Sequence, residues 1–362
     1  MIETTDRATM VPPTGQIRFK FRWLDEEGNA VGFFRKSGSF DGEMLQLDDT
    51  QIPADAILDL RIRQDKIYLW LRSASDQWVK SGFVLLGSRL NEIHYALNGI
   101  RRQQLIEEER HRLSEQGDIQ EFREQACRQC QAPIILSGLP VTPQVYCEVC
   151  DSLSTTTGSE SQLAFESHYR VCEECLMYSH PRKFTTFYIY FLFVIYGFWN
   201  KTTICCPACM RGEAWKMLMV NTLGFVGLPF ALGQLYRAYS RRSVKGPLEG
   251  LDSANILARK GRIDQALDGY DDLLDAQPVN AGLKYNVGIG LLRKAEPEHA
   301  QRMFELSLED CSNYGPSVYG LMNALEAQGK QEELEGLRRL WGIGIEPPET
   351  TEIQQELPET NR

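Results

Sequence analysis

The stretch "FTTFYIYFLFVIYGFW", residues Phe184–Trp199, carries no charged side chain and lies between two cysteine pairs, "CEEC" and "CPAC". A second uncharged run, "MLMVNTLGFVGLPFALGQLY", follows at Met217–Tyr236. An apolar helix needs about 20 residues to cross a bilayer, and about 17 is the lower limit. Extended through Asn200, the first run reaches that lower limit, and the second run reaches the full length. We therefore predict two hydrophobic membrane segments, 184–200 and 217–236, in a membrane-associated protein.

Basic residues around these runs indicate an orientation. Six lysine and arginine side chains flank the outer ends of the two runs, and three lie between them. Because positive charge favours the cytoplasmic side, we expect the soluble domains to lie in the cytoplasm. Two topologies remain open, a hairpin of two spans or a first run that dips into the membrane and returns. An alternative to both is a soluble zinc-ribbon scaffold in which the aromatic runs form the core.

The cysteines outside these runs are clustered. Nine of the ten fall between Cys127 and Cys209, and eight of them form CxxC pairs. The N-terminus lacks the pattern of a secretory signal peptide, so the clustering predicts metal binding and not disulfide bonds. The spacing C-x2-C-x16-C-x2-C is typical of a structural four-thiolate zinc site and resembles a zinc ribbon. Iron would fit the same donors. The predicted ligands of this site are Cys127, Cys130, Cys147 and Cys150.

The remaining pairs, Cys172/Cys175 and Cys206/Cys209, flank the aromatic stretch. We expect them to share a second structural zinc ion if both lie on one side of the membrane. Cys205, His168 and His180 are possible substitute ligands, and we expect Cys311 to be a packing residue. Two CxxC pairs around a hydrophobic insert resemble the LITAF-type zinc domain, a monotopic membrane module. The chain departs from that family at Ile204, where the family carries a histidine.

The N-terminal part is predicted to be a β domain closed by one helix. In "IRFKFRW", Ile17–Trp23, apolar and basic residues alternate with the period of a half-buried strand. Further strand-like runs follow, and from Leu90 the apolar residues fall on one helical face. Several antiparallel strands followed by one long helix resemble a PH-like domain, over residues 15–118.

The C-terminal part is built from a repeating sequence unit of about 34 residues. Ala266 and Ala300 are one such period apart, as are Tyr270 and Phe304. This spacing of small and aromatic residues resembles the tetratricopeptide repeat. The resemblance implies α-helical repeats over 248–345, with a concave groove that binds a protein or peptide partner.

Together these patterns predict a multidomain α+β protein. Its net charge is −10, and from Leu251 to the end there are 20 acidic and 11 basic side chains, a balance of −9. A nucleic-acid partner would favour the opposite sign, so we expect none. The predicted domains are a disordered segment at 1–14, the PH-like domain at 15–118, a zinc ribbon at 123–155, the second cysteine pairs with the membrane segments at 168–245, the repeats at 248–345 and a disordered acidic tail at 346–362.

We read the whole as a non-enzymatic, membrane-anchored scaffold or adaptor with structural zinc. The sequence contains no recognisable nucleophile–base arrangement and no glycine-rich phosphate-binding loop, so we expect no enzymatic activity. A CxxC thiol oxidoreductase is the competing enzyme class, because such dithiols carry redox chemistry when one thiolate has a lowered pKa.

Overall fold

The computed structural model describes residues 16–25, 27–32, 34–63, 66–72, 78–86, 90–157, 159–172, 174–192, 195–221, 228–240 and 246–341. It has mixed α+β structure, with a sheet at the N-terminal end and helices at the C-terminal end. The chain divides into two units, one containing residues 16–104 and 335–341 and the other containing residues 105–334. The predicted disordered ends, 1–14 and 346–362, lie outside the described residues.

The first unit contains a seven-stranded antiparallel sheet in the order β4-β3-β2-β1-β7-β6-β5. As the alternation predicted, β1 buries Ile17, Phe19 and Phe21 and exposes Arg18 and Lys20. Helix α1, Leu90–Gln116, contributes apolar side chains to the same core. The order of strands followed by one helix agrees with the sequence, and the PH-like assignment stays a prediction. The strands are β1 (Ile17–Trp23), β2 (Lys36–Phe40), β3 (Met44–Leu47), β4 (Thr50–Pro53), β5 (Ile57–Arg63), β6 (Lys66–Arg72) and β7 (Trp78–Leu86).

Short strands flank the cysteine pairs of the second unit. Strands β8 (Glu124–Ala126) and β9 (Pro133–Ile135) form a two-stranded ladder around the first CxxC pair. A four-stranded antiparallel sheet follows in the order β10-β11-β12-β13, so β10 and β13 are its edges. Its elements are β10 (Gln144–Cys147), β11 (Ser152–Thr155), helix α2 (Glu160–Glu166), β12 (Arg170–Val171) and β13 (Tyr178–Ser179).

The aromatic stretch Phe184–Trp199 is part of a β-hairpin, which corrects the prediction of a membrane segment at 184–200. Strands β14 (Arg182–Leu192) and β15 (Ile195–Cys205) pair antiparallel from Arg182↔Cys205 to Leu192↔Ile195. The stretch is rich in phenylalanine, tyrosine, isoleucine and threonine, which favour strands over helices. The aromatic and β-branched composition therefore produced two strands where the apolar length had suggested a helix.

The second predicted membrane segment, 217–236, is also wrong. Its described residues, 217–221 and 228–236, belong to two helices, α3 (Pro207–Asn221) and α4 (Leu228–Tyr239), of 15 and 12 residues. A straight span needs about 20 residues, so each helix is too short. Within the part of the chain that the structure describes, no helix combines the length and apolar composition needed to cross a membrane. This finding contradicts the predicted membrane segments and the predicted membrane-associated localisation.

The C-terminal region is helical, as the sequence period indicated. The second helices of successive pairs begin at Ile263, Pro297 and Gln331, which are evenly spaced by one period. The Phe304 ring packs where a Cβ at Gly288 or Gly320 would lie 2.5 Å from it, so the repeat needs small residues opposite its aromatic side chain. The helices are α5 (Leu251–Arg259), α6 (Ile263–Ala276), α7 (Ala281–Arg293), α8 (Pro297–Asp310), α9 (Gly315–Ala327) and α10 (Gln331–Leu340).

Candidate metal centres and their attachment to the helices

The first cysteine group comes from two tight turns. Cys127 and Cys130 lie in the turn between β8 and β9, where Gln131 follows at a φ of 63°. Cys147 ends β10, and Cys150 is followed by Asp151 at a φ of 54°. These left-handed residues reverse the chain directly after each second cysteine, so both sulfurs of a pair point to one centre.

The four sulfurs of this group are buried and close together. The Cys127 and Cys150 Sγ atoms are 3.8 Å apart, and those of Cys130 and Cys147 are 3.6 Å apart. A tetrahedral zinc ion with Zn–S bonds of about 2.3 Å would separate its sulfurs by about 3.8 Å. The geometry therefore fits one metal ion bound by these four cysteines.

The second group joins two cysteine pairs that lie at the base of the β14–β15 hairpin. Cys172 and Cys175 come before β14, and Cys206 and Cys209 follow β15 at the start of α3. The Sγ atoms of Cys172 and Cys209 are 3.8 Å apart, and those of Cys175 and Cys206 are 3.7 Å apart. Because the hairpin returns to its own starting point, a long insert still brings the two pairs to one centre.

The four thiols of each group shift one another's pKa values in opposite directions. Hydrogen bonds between the sulfurs, with Cys130 the largest contributor, hold the pKa of Cys127 far below the ordinary thiol value. The same kind of contact, with Cys127 first, raises the pKa of Cys147 far above it. In the second group Cys175 has the lowered pKa and Cys206 the raised one, in both cases with Cys172 as the largest cause. Neighbouring thiols can thus stabilise one thiolate, but four thiolates together need a positive charge between them.

The other candidate ligands lie outside both groups. Cys205 is buried and pairs with Arg182 in the hairpin register. Burial lowers the pKa of His180 to about 4, and its backbone N–H donates to Asp252 Oδ1. The His168 ring contacts that of His180, with centroids 5.7 Å apart. Cys311 is fully buried in the helical region.

Sequence reasoning missed one charged neighbour of the second group. Arg259 Nη1, at the end of α5, lies 2.8 Å from Cys209 Sγ. The backbone N–H of Cys206 also donates to Cys172 Sγ, at 3.2 Å. Donors of this kind offset the negative charge of a four-thiolate site and orient its ligands. Arg259 is far from Cys209 in the sequence and belongs to no local motif, so only the tertiary structure reveals it.

One edge of the four-stranded sheet is bound by side-chain amides of the helical repeats. At β13, the Tyr178 N–H donates to Asn286 Oδ1 at 3.0 Å, and Asn286 Nδ2 donates to the Tyr178 carbonyl at 2.7 Å. Asn255 Nδ2 donates to the same carbonyl at 2.9 Å. The Tyr178 ring lies against Gly282, where a Cβ would overlap it. The carboxamides thus satisfy the backbone groups that a neighbouring strand would otherwise pair with.

The other edge, β10, is bound in the same way. The Tyr146 N–H donates to Asn313 Oδ1 at 2.9 Å, and Asn313 Nδ2 donates to the Tyr146 carbonyl at 2.8 Å. Further along the strand, the Ala281 N–H donates to Gln144 Oε1 at 2.9 Å. Both edges of this four-stranded sheet are therefore held by α5, α7 and the α8–α9 turn.

The first helix of the third repeat is different. On α9, Tyr319 is 57% exposed, and Asn323 is exposed as well. Tyr319 lies one repeat after the buried Tyr285, and Asn323 lies two repeats after Asn255, which binds Tyr178. Tyr319 and Asn323 thus face solvent. The side chains at the corresponding positions of earlier repeats, Tyr285 and Asn255, are buried against other parts of the chain.

No protein-family model matches the chain, and a comparison with curated proteins gives no significant match. The assignment of function therefore depends on the geometry described above.

Proposed function

We propose that this chain is a non-enzymatic scaffold in which two structural zinc ions stabilise a small sheet and tetratricopeptide-like helices bind a protein partner. The observation that carries the proposal is the pairing of asparagine amides with strand backbone at Tyr178 and Tyr146. Such pairs recognise extended main chain without regard to side-chain identity. The same helices are therefore suited to bind an extended segment of another protein.

The chemistry of the two cysteine groups supports a structural role. Each group offers four sulfur donors, and four thiolates complete a tetrahedral zinc site. No position is then open for a water or a substrate, which a catalytic zinc ion would need. Bound zinc would supply a cross-link between segments that are far apart in the sequence. The loss of zinc is expected to disorder the sheet, because small metal-bound modules gain much of their folding free energy from the ion.

The partner surface that we propose is the exposed face of α9. The Asn323 carboxamide would pair with backbone of an extended peptide, and Tyr319 would contact an apolar side chain of that peptide. Glu326, exposed one turn further along, favours a lysine or arginine in the partner. The surface continues the register of Asn255 and Tyr285, which serve the chain's own packing in the preceding repeats.

Peptide display against the zinc-loaded protein tests this surface. We expect extended peptides with a basic residue to be enriched and to lose about tenfold in affinity or more on Asn323→Ala with Tyr319→Ala. Arg302→Ala, at an exposed position of α8, is the control and should leave binding unchanged. Peptides that bind the double variant as tightly as the wild type would refute the assignment of the surface.

Metal analysis with an insulin-reduction assay separates the scaffold from a thiol oxidoreductase. We expect two zinc ions per chain and no reduction of insulin, since metal-bound thiolates are not free to exchange with disulfides. Insulin reduction by a protein without metal would support the oxidoreductase and overturn the proposed function.

A further inference from the structure

The two cysteine groups differ in access to solvent. All four sulfur ligands of the first group belong to buried residues, whereas Cys175 of the second group is partly exposed. A cavity of about 600 Å³ opens beside Cys175. Its lining is mainly polar and charged, and consists of Glu174, Cys175, Ala258, Arg259, Gly261, Ile263 and Arg293.

The side chains that line the cavity carry a net positive charge, and they lie next to a cysteine group that would be negatively charged with zinc bound. A zinc ion with four thiolates carries a net charge of −2, which repels anionic ligands from bulk water. Arg259 and Arg293 line the cavity from the ends of two successive first helices, and Glu174 offsets one of the two charges. With the −2 of the centre the sum beside Cys175 is −1, so the two guanidinium groups reduce the repulsion that an anion would otherwise meet there.

The two arginines have different positions. Arg259 Nη1 is 2.8 Å from Cys209 Sγ, so its charge is directed at the metal ligands themselves. Arg293 lies one repeat further along, and its Nη1 is 3.4 Å from the Ala258 carbonyl, at the cavity wall. Arg259 is thus suited to stabilise the thiolates, and Arg293 is suited to attract an incoming ligand.

We infer that the second group is an exchangeable zinc site and that this cavity admits an anionic, multidentate ligand that takes zinc from the protein or delivers it. The ligand is of the polycarboxylate or thiolate class. A donor atom of the ligand would bond to a bound zinc ion in place of Cys175 Sγ, so that one bond to zinc forms as another breaks. The released Cys175 thiolate takes a proton from water, and no electron is transferred. The first group keeps its ion because its ligands are buried. This inference goes beyond the proposed function and depends on its zinc assignment.

Chelator competition on the full chain tests the inference. Protein loaded with two zinc ions per chain is mixed with EDTA, an anionic chelator, or with 1,10-phenanthroline, a neutral one. The zinc retained is then measured over time. N-ethylmaleimide labelling and mass spectrometry identify the cysteines that have lost their metal. We expect one zinc ion to leave at least about tenfold faster than the other, with Cys172, Cys175, Cys206 and Cys209 labelled first.

Variants of Arg293 provide the specific readout. Arg293→Gln should slow the transfer to EDTA by about threefold to tenfold and leave the transfer to phenanthroline unchanged, and Arg293→Lys should restore the EDTA rate. The slow zinc ion of the first group is the internal control. Equal rates for the two ions, earlier labelling of the first group, or the same effect of Arg293→Gln on both chelators would overturn the inference. Fewer than two zinc ions per chain would overturn the zinc assignment of the proposed function as well, so the two failures are distinguishable.

Discussion

Replacement of Asn286 by alanine should destabilise the second unit strongly. Asn286 is 0% exposed, accepts from the Tyr178 N–H and donates to the Tyr178 carbonyl and to Asn255 Oδ1. In the variant the Tyr178 carbonyl keeps its bond from Asn255, and Asn255 Oδ1 keeps its bond from the Tyr270 hydroxyl. The Tyr178 N–H therefore loses the one side-chain acceptor that the structure gives it, while the other two groups stay partnered.

The size of the effect follows from these contacts. An unsatisfied buried N–H costs about 1–3 kcal/mol, and each of the two other lost hydrogen bonds contributes about 0.5–1.5 kcal/mol. We therefore expect Asn286→Ala to lower the free energy of unfolding by about 4 kcal/mol. Asn323→Ala is the matched control, because Asn323 is exposed on the neighbouring first helix. Its effect should stay within about 0.5 kcal/mol.

Urea unfolding of the zinc-loaded protein, followed by circular dichroism of the helices, measures both changes. Hydrogen exchange gives a local measurement, in which the Tyr178 amide should exchange about a thousandfold faster in Asn286→Ala. If the two variants shift the urea midpoint equally, or if the exchange of this amide is unchanged, the amide pair does not hold the sheet edge and the reasoning is refuted.

Four other substitutions have defined outcomes. Gly282→Ala should destabilise by about 1–3 kcal/mol in thermal unfolding, since its Cβ would overlap the Tyr178 ring, whereas Gly233→Ala, a helical position with open space, should be neutral or stabilise by about 0.5–1 kcal/mol. Burial raises the pKa of the Asp252 carboxyl from 3.8 to about 6. The native state therefore binds this proton more tightly than the unfolded state does, and the resulting stabilisation is complete below pH 3.8 and is lost as the pH rises through 6. Asp252→Asn should therefore be more stable than the wild type by about 2–3 kcal/mol at pH 8 and by less at pH 5, and an equal difference at both pH values would contradict the assignment. Cys205→Ala should retain two zinc ions per chain in metal analysis, and a loss of one would identify Cys205 as a ligand.

Local spacing was sufficient to predict the first cysteine group, whereas the sharing of one centre by Cys172/Cys175 and Cys206/Cys209 was predicted only on the condition that both pairs lie on one side of a membrane. A CxxC pair brings its own two sulfurs together, so Cys127 and Cys130 need only a tight turn after them, which Gln131 supplies. The helical period was equally visible, because Phe304 requires small residues at fixed distances in the sequence. Both signals depend on contacts that repeat at short, regular intervals along the chain.

The aromatic stretch was misread because apolar length does not distinguish a helix from a hairpin. Phe184–Trp199 is uncharged in either structure. The informative signal was the content of aromatic and β-branched residues, together with the near-equal arms that pair Arg182 with Cys205. A count of uncharged residues uses neither of these features.

The long-range contacts of the site had no signal in the sequence. Arg259 reaches Cys209 across a sequence separation of 50, and Asn313 reaches Tyr146 across one of 167. Asparagine and arginine are common on exposed helix faces, so their types alone do not indicate such roles. Only the packing of the sheet against the helices selects them.

Because both edges of the four-stranded sheet are hydrogen-bonded to the helical region, the helices should unfold differently from those of a simple repeat array. In a simple repeat array each unit contacts only its neighbours, and the ends can fray while the middle stays folded. Here β13 is bound by both α5 and α7, while β10 is bound at Ala281 and at Asn313. The sheet is thus hydrogen-bonded to the first two helix pairs and to the turn that leads into the third. Fraying of the first pair would expose the edge of β13 and would break its hydrogen bonds to the helices, so the first two pairs should unfold together with the sheet as one cooperative block.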